Sequence, residues 1–260
     1  MNFTAKPLAG CAIGVSISET EEIEDLGFKK DEINRCTVRL CEALLGAGAR
    51  LVFGHDWRPG GVMEAITDLA IRHSKISSRE TAPVTAPITN LVATPDTPFL
   101  AKPDLVTGGA NRYAPLLRGV IDARQIASPG NHDRLASLSL MRKELASLCH
   151  IRICIGGRLR NFSGRMPGII EEALYTSQYK RPAFASAIFG GASGILAASL
   201  YENTLTVEET FAKEVAEISK TQRHFFTKDY AQLAYADSVE SCVESALRCA
   251  VTTWKLRGDR

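Results

Sequence analysis

The stretch Arg50-Leu51-Val52-Phe53-Gly54-His55-Asp56-Trp57-Arg58-Pro59-Gly60-Gly61 decides the fold. A short apolar run ends in a glycine-rich turn, and a helical pattern follows from Val62 to about His73. Upstream, Cys11 to Ile17 is a second apolar run with β-branched members, read as a buried first strand. Between the two, Asp31 is placed to cap a helix from Glu32 to about Gly46, with Ile33, Val38, Leu40, Leu44 and Leu45 as its apolar face. Strand, helix, strand, glycine turn, helix is how a parallel sheet with crossover helices begins.

The pattern resumes at Asp133. Leu135, Leu138, Met141, Leu145 and Leu148 recur at helical spacing, then Ile151 to Ile155 reads as a strand ending at Gly156-Gly157. Pro167 opens a helix to about Tyr179, and Pro182 to Ile188 reads as a strand ending at Gly190-Gly191. Thr206 and Asp237 are placed to cap two late helices, Val207 to Ser219 and a last one to about Trp254. The expected architecture is α/β: a Rossmann-like three-layer sandwich with a mostly parallel sheet. One domain spans residues 1–260, with an irregular excursion at about 74–115, where only Ile88 to Ala93 reads as a strand, and C-terminal helices at about 206–254.

Composition excludes several classes. With 31 basic and 29 acidic residues, nothing predicts a grip on nucleic acid or a membrane surface. No apolar run approaches the roughly 20 residues that span a bilayer, and Met1 to Gly10 lacks a leader pattern, so a cytoplasmic protein is expected. The seven cysteines form no C-x-x-C pair and read as small buried residues; neither a metal site nor a cofactor is expected.

Ligands of a parallel sheet gather beyond the carboxyl ends of its strands. Three strands here end in glycine turns: Gly54 to Gly61, Gly156-Gly157 and Gly190-Gly191. One such turn is ordinarily just a tight connection, whereas three on one edge point to a cleft where backbone approaches a ligand. No Gly-Lys-Ser/Thr or G-x-G-x-x-G pattern is present, so neither a P-loop nor a dinucleotide fingerprint applies. Ser16 and Ser18 end the first strand and could bond a phosphate; His55, Asp56 and His132 are weaker candidates, and His150 reads as structural.

Residues Leu140 to Gly191 resemble the LOG family and the wider SLOG superfamily. That family carries an Arg-Lys pair on a helix, then a strand ending Pro-Gly-Gly-x-Gly-Thr-x-Glu-Glu. Here Arg142-Lys143 is the pair, Gly156-Gly157 follows the strand, and Gly168-Ile169-Ile170-Glu171-Glu172 stands where Gly-Thr-x-Glu-Glu is expected. Arg58-Pro59-Gly60-Gly61 resembles the first nucleotide loop. The sequence departs from the pattern at Ile155 for proline, at Ile169 for threonine, and by an insertion from Arg158 to Pro167.

The resemblance implies a nucleotide or nucleotide-derived ligand and cleavage of an N-glycosidic bond in a nucleoside 5′-monophosphate. Arg142, Glu171 and Glu172 are the implied catalytic groups. Ser16, Ser18, Gly54, Arg58, Gly60, Gly61, Lys143, Gly156, Gly157, Gly168, Gly190 and Gly191 are the implied nucleotide contacts. Taken alone, Glu171-Glu172 would be a solvated first turn favoured by the helix dipole. The departures favour a second class of function, a non-catalytic sensor of a nucleotide signal in bacterial signalling or defence. LOG-like proteins are commonly dimers, so a homodimer or larger is expected; Val243, Ala246, Leu247 and Ala250 read as core or subunit contact.

Overall fold

The computed structural model describes residues 6–54, 62–77, 86–93, 120–126, 133–201, 211–226 and 228–258. Its strands are β1 (Ala12–Ser18), β2 (Arg50–Gly54), β3 (Ile88–Ala93), β4 (Ile121–Ile126), β5 (Ile151–Gly156) and β6 (Ala183–Ser186). Its helices are α1 (Glu32–Gly46), α2 (Val62–Ser77), α3 (Arg134–Leu148), α4 (Gly168–Gln178), α5 (Gly191–Tyr201), α6 (Ala212–Gln222), α7 (Lys228–Ala234) and α8 (Val239–Gly258), with a 3₁₀ turn at Arg223–Phe225. The six described strands form one sheet in the order β4-β3-β2-β1-β5-β6, and every pairing is parallel.

Alternation along the strands sorts side chains between two helix layers. On β2, Val52 packs with Leu138, Met141 and Leu145 of α3. Leu51 and Phe53 face the opposite way, into the core that holds Cys36, Leu40 and Leu44 of α1. Helix α3 lies over β1 to β4, α4 lies over β5, β1 and β6, and α1, backed by α2 and α8, covers the other face. The fold is therefore the expected α/β sandwich. The stripe on α8 is spent inside the chain: Ala246 and Ala250 are fully buried, and Val243 and Leu247 pack against the same core.

Several local expectations change. Asp31 makes no side-chain cap, because its backbone is already helical; Glu32 instead accepts from the Lys29 amide at 2.8 Å. Asp133 does cap α3, accepting from the amides of Leu135 and Ala136. Helix α8 starts after Ser238, whose hydroxyl accepts from the Ser241 amide while the Ser241 hydroxyl accepts from the Ser238 amide, a reciprocal cap. Helix α6 is described from Ala212, and Thr206 and Val207 lie outside the described residues. Strand β4 and helices α5 and α7 were not anticipated from sequence.

Candidate functional site

The chain lays down β1, β2, β3 and β4 in one direction, then returns to place β5 on the other side of β1. Loops leaving β1 and β5 diverge, and a crevice opens at their carboxyl ends. A cleft of about 330 Å³ occupies that place. Ser16, Ser18 and Glu19 form its β1 side, and Gly54, Met141 and Arg142 a second wall. Gly157, the loop at 158–163, and Gly168, Ile169 and Glu172 of α4 complete it.

A charged group sits beneath this cleft. Arg152, in the middle of β5, is 1% exposed. It pairs across the sheet with Gly14, and a Cβ at that glycine would lie 3.1 Å from the guanidinium carbon, so the absence of a side chain there makes the room. Arg152 Nη1 donates to Glu172 Oε2 at 2.5 Å and to Ser16 Oγ at 2.6 Å, and Nε donates to Thr176 Oγ1 at 2.8 Å. Ser16 Oγ in turn donates to Glu172 Oε2. A buried cation demands a paired anion and filled hydrogen bonds, and Glu172 supplies the anion while facing the cleft. Both bonds fall on Oε2; among the described residues none reaches Oε1. Nothing in the sequence reading singled out Arg152, although an arginine inside Ile-Arg-Ile-Cys-Ile is the signal, since buried parallel strands are otherwise continuously apolar.

Glu171, one residue earlier, points elsewhere. Successive helical residues diverge by about 100°, so Glu171 turns toward α3 and is 2% exposed. Its Oε2 accepts from Arg142 Nη1, and its Oε1 from Ser139 Oγ at 2.6 Å and Tyr175 Oη at 3.4 Å. Burial and the neighbouring Glu171 carboxylate push the Tyr175 phenol up from its ordinary pKa. Arg142 Nη2 donates to the Ser163 carbonyl at 2.8 Å, and its guanidinium lies against Gly164 and Gly168. The insertion from Arg158 to Pro167 thus wraps Arg142. That loop is tied to the β1–α1 connection by Arg158 on Glu19 at 2.7 Å and by the Leu159 and Arg160 amides on Glu21.

The glycine turns divide in role. Gly157 lines the cleft at φ 96°, and its amide donates to the Ser18 carbonyl at 2.9 Å. The buried Ile169 side chain closes over it, within 2.6 Å of where a Cβ would stand. Gly190 and Gly191 do not line this cleft; their turn braces the one before it, with the Ala192 amide donating to the Gly157 carbonyl at 2.9 Å. Gly156 packs on the end of β1 and Gly54 against Met141 and Leu145. Lys143 is exposed and away from the cleft. Arg58, Gly60 and Gly61 lie outside the described residues, as do His55, Asp56 and His132.

Other candidates resolve into structural roles. All seven cysteines are buried and unpaired. Burial raises the Cys154 thiol to a pKa of about 12, which removes it as a nucleophile at neutral pH. The Nδ1 atom of His150 accepts from the Ala12 amide at 2.9 Å, and its ring stacks on Trp254 at 5.0 Å. Among the described residues, no helix is long and apolar enough to cross a membrane.

A family model described as SLOG cluster2 matches residues 7–246. No curated protein matches the sequence. Among solved structures, the N-terminal domain of Candida albicans trehalose-6-phosphate phosphatase aligns at 9% identity and a TM-score of 0.32. That alignment covers 94% of this chain and 44% of the other, so this chain spans less than half of its length.

Proposed function

The chain belongs to the SLOG cluster2 family, and on that premise we propose that it binds a nucleotide-derived ligand in the cleft between β1 and β5 and cleaves its N-glycosidic bond. The observation that carries this reading is Glu172, a cleft carboxylate whose Oε2 is fixed by Arg152 and Ser16. In the proposed reaction, water adds to the ribosyl C1′ as the C–N bond breaks, and the base departs with a proton. Glu172 Oε1 accepts a hydrogen bond from a ribose hydroxyl or from the attacking water, and its charge steadies the oxocarbenium-like centre. Gly157 lines the cleft with backbone while Ile169 packs where its side chain would stand, and the start of α4 at Gly168 favours the ligand's phosphate. Arg142 acts from the wall through its charge, its Nη atoms being engaged by Glu171 and Ser163.

The second reading is a non-catalytic sensor. It is favoured by that engagement of Arg142 and by Ile169, which brings only hydrocarbon to the place where the family pattern has a hydroxyl. Incubation with a panel of nucleoside monophosphates separates the two. Free base together with a thermal shift is the expected outcome; a thermal shift without base over hours replaces the enzyme with the sensor. Self-association belongs to the same proposal, and light scattering that finds only a 28.2 kDa species at micromolar concentration rejects it.

A further inference from the structure

At the opposite end of the sheet, where β5 and β6 begin, there is a hollow of about 300 Å³ that the proposed reaction does not use. Thr253 and Arg257 of α8 line it, with Lys180 from the turn before β6, and His224, Phe225 and Phe226 around the 3₁₀ turn. Its walls are fixed. Arg257 donates to the carbonyls of His150 at 3.1 Å and Lys180 at 3.4 Å. Phe226 stacks on the buried Tyr230 at 4.5 Å, and the rings of His224 and Phe225 lie 4.0 Å apart.

The charge around it describes what would fit. The surroundings are positive: Arg181 donates to the carbonyls of Ala146 and Ser147, and Lys180 makes no ion pair among the described residues. The same field acts on His150, whose proton affinity is lowered by burial and then by Arg181, Arg257 and Arg50.

We propose that this hollow binds a planar aromatic anion, a ring carrying one phosphate or carboxylate. His224 and Phe225 offer ring faces, and the charges of Lys180 and Arg257 hold the anion. The volume suits a small ligand, at the low end of ordinary ligand pockets. This site is independent of the cleft and of any reaction there.

The chain has two tryptophans, Trp57 and Trp254, so its indole N–H resonances are two. Trp254 follows Thr253, stacks on His150 and donates to the Ala9 carbonyl, and Trp57→Phe assigns its signal. The full chain is titrated with 5′-AMP, with 4-hydroxybenzoate and with inorganic phosphate. We expect a saturable shift of the Trp254 signal with at least one aromatic probe, and the probe that acts names the anion. Lys180→Glu, at an exposed position, should weaken it about tenfold or more, with helix content unchanged. An unmoved Trp254 signal with both aromatic probes overturns the proposal. So does unchanged affinity in Lys180→Glu, or an equal response to phosphate alone, which would need no ring.

Discussion

The guanidinium of Arg152 on β5 lies 2.5 Å from the carboxylate of Glu172 on α4, and the arginine is almost wholly buried. Removing one partner strands a charge out of water, at a cost of about 3–5 kcal/mol. Arg152→Met should therefore lower stability by that order in urea unfolding. The double variant Arg152→Met/Glu172→Met should be more stable than Arg152→Met alone, since an apolar pair leaves no orphaned charge. Additive losses would show that the two side chains are not coupled.

Glu171 and Glu172 separate into different phenotypes. Glu172→Gln keeps the shape and an acceptor but removes both the cleft charge and the anion that pairs with buried Arg152, so stability should fall and base release from the folded variant should drop by roughly 100-fold, on the order of 3 kcal/mol, with most of the ligand-induced thermal shift retained. Glu171→Gln weakens the buried grip on Arg142 and should act mainly on stability, by about 1–3 kcal/mol. Base-release assays beside melting curves test the split, and the reverse pattern would move the chemistry to Glu171.

Gly157→Val should damage the fold as well as the cleft. The backbone there has φ 96°, and a Cβ would meet Ile169 at 2.6 Å and Ala192 at 3.2 Å. The strained backbone and the overpacking each cost about 1–3 kcal/mol. Melting of the variant near the wild-type temperature would mean that the turn relaxes freely.

His150 makes stability depend on pH. Burial, then Arg181, Arg257 and Arg50, lowers its folded-state pKa below the ordinary 6.5, and its Nδ1 must stay unprotonated to accept from the Ala12 amide. Between those two values the unfolded chain binds more protons, so stability rises with pH across the window. The contribution is fully present above about pH 6.5 and is lost as pH falls through the folded-state value. The melting-temperature gap between wild type and His150→Gln should shrink from about pH 7.5 to about pH 5.5; a constant gap would show no linkage through this ring.

The fold was largely legible because short apolar runs with β-branched members, such as Cys11 to Ile17, read as buried strands when a turn and a helical pattern follow. Strand β4 escaped because it lies at the edge of the described sheet. Asp122, Arg124 and Gln125 are partly solvated, so its pattern is neither continuous nor cleanly alternating. Helix α5 escaped for the opposite reason: its sequence is small and apolar nearly all round and shows no stripe. In the site, the acidic pair was visible as a motif, but which carboxylate faces the cleft depends on how α4 is rotated over β5. The engagement of Arg142 depends on a carbonyl of the inserted loop, which no side-chain pattern announces.

The place of β1 at the middle of the sheet also bears on how the protein is made. On a ribosome, β1 emerges more than a hundred residues ahead of β5, its neighbour on one side: the Ala12 amide waits for His150, 138 positions later. Until then one long apolar edge of β1 has no partner, although β2 can already cover the other. Nascent chains in that state resemble unprotected edge strands, which recruit one another. Synthesis of this protein thus passes through an interval in which chaperone cover matters most, and it closes only when β5 and its buried arginine arrive together.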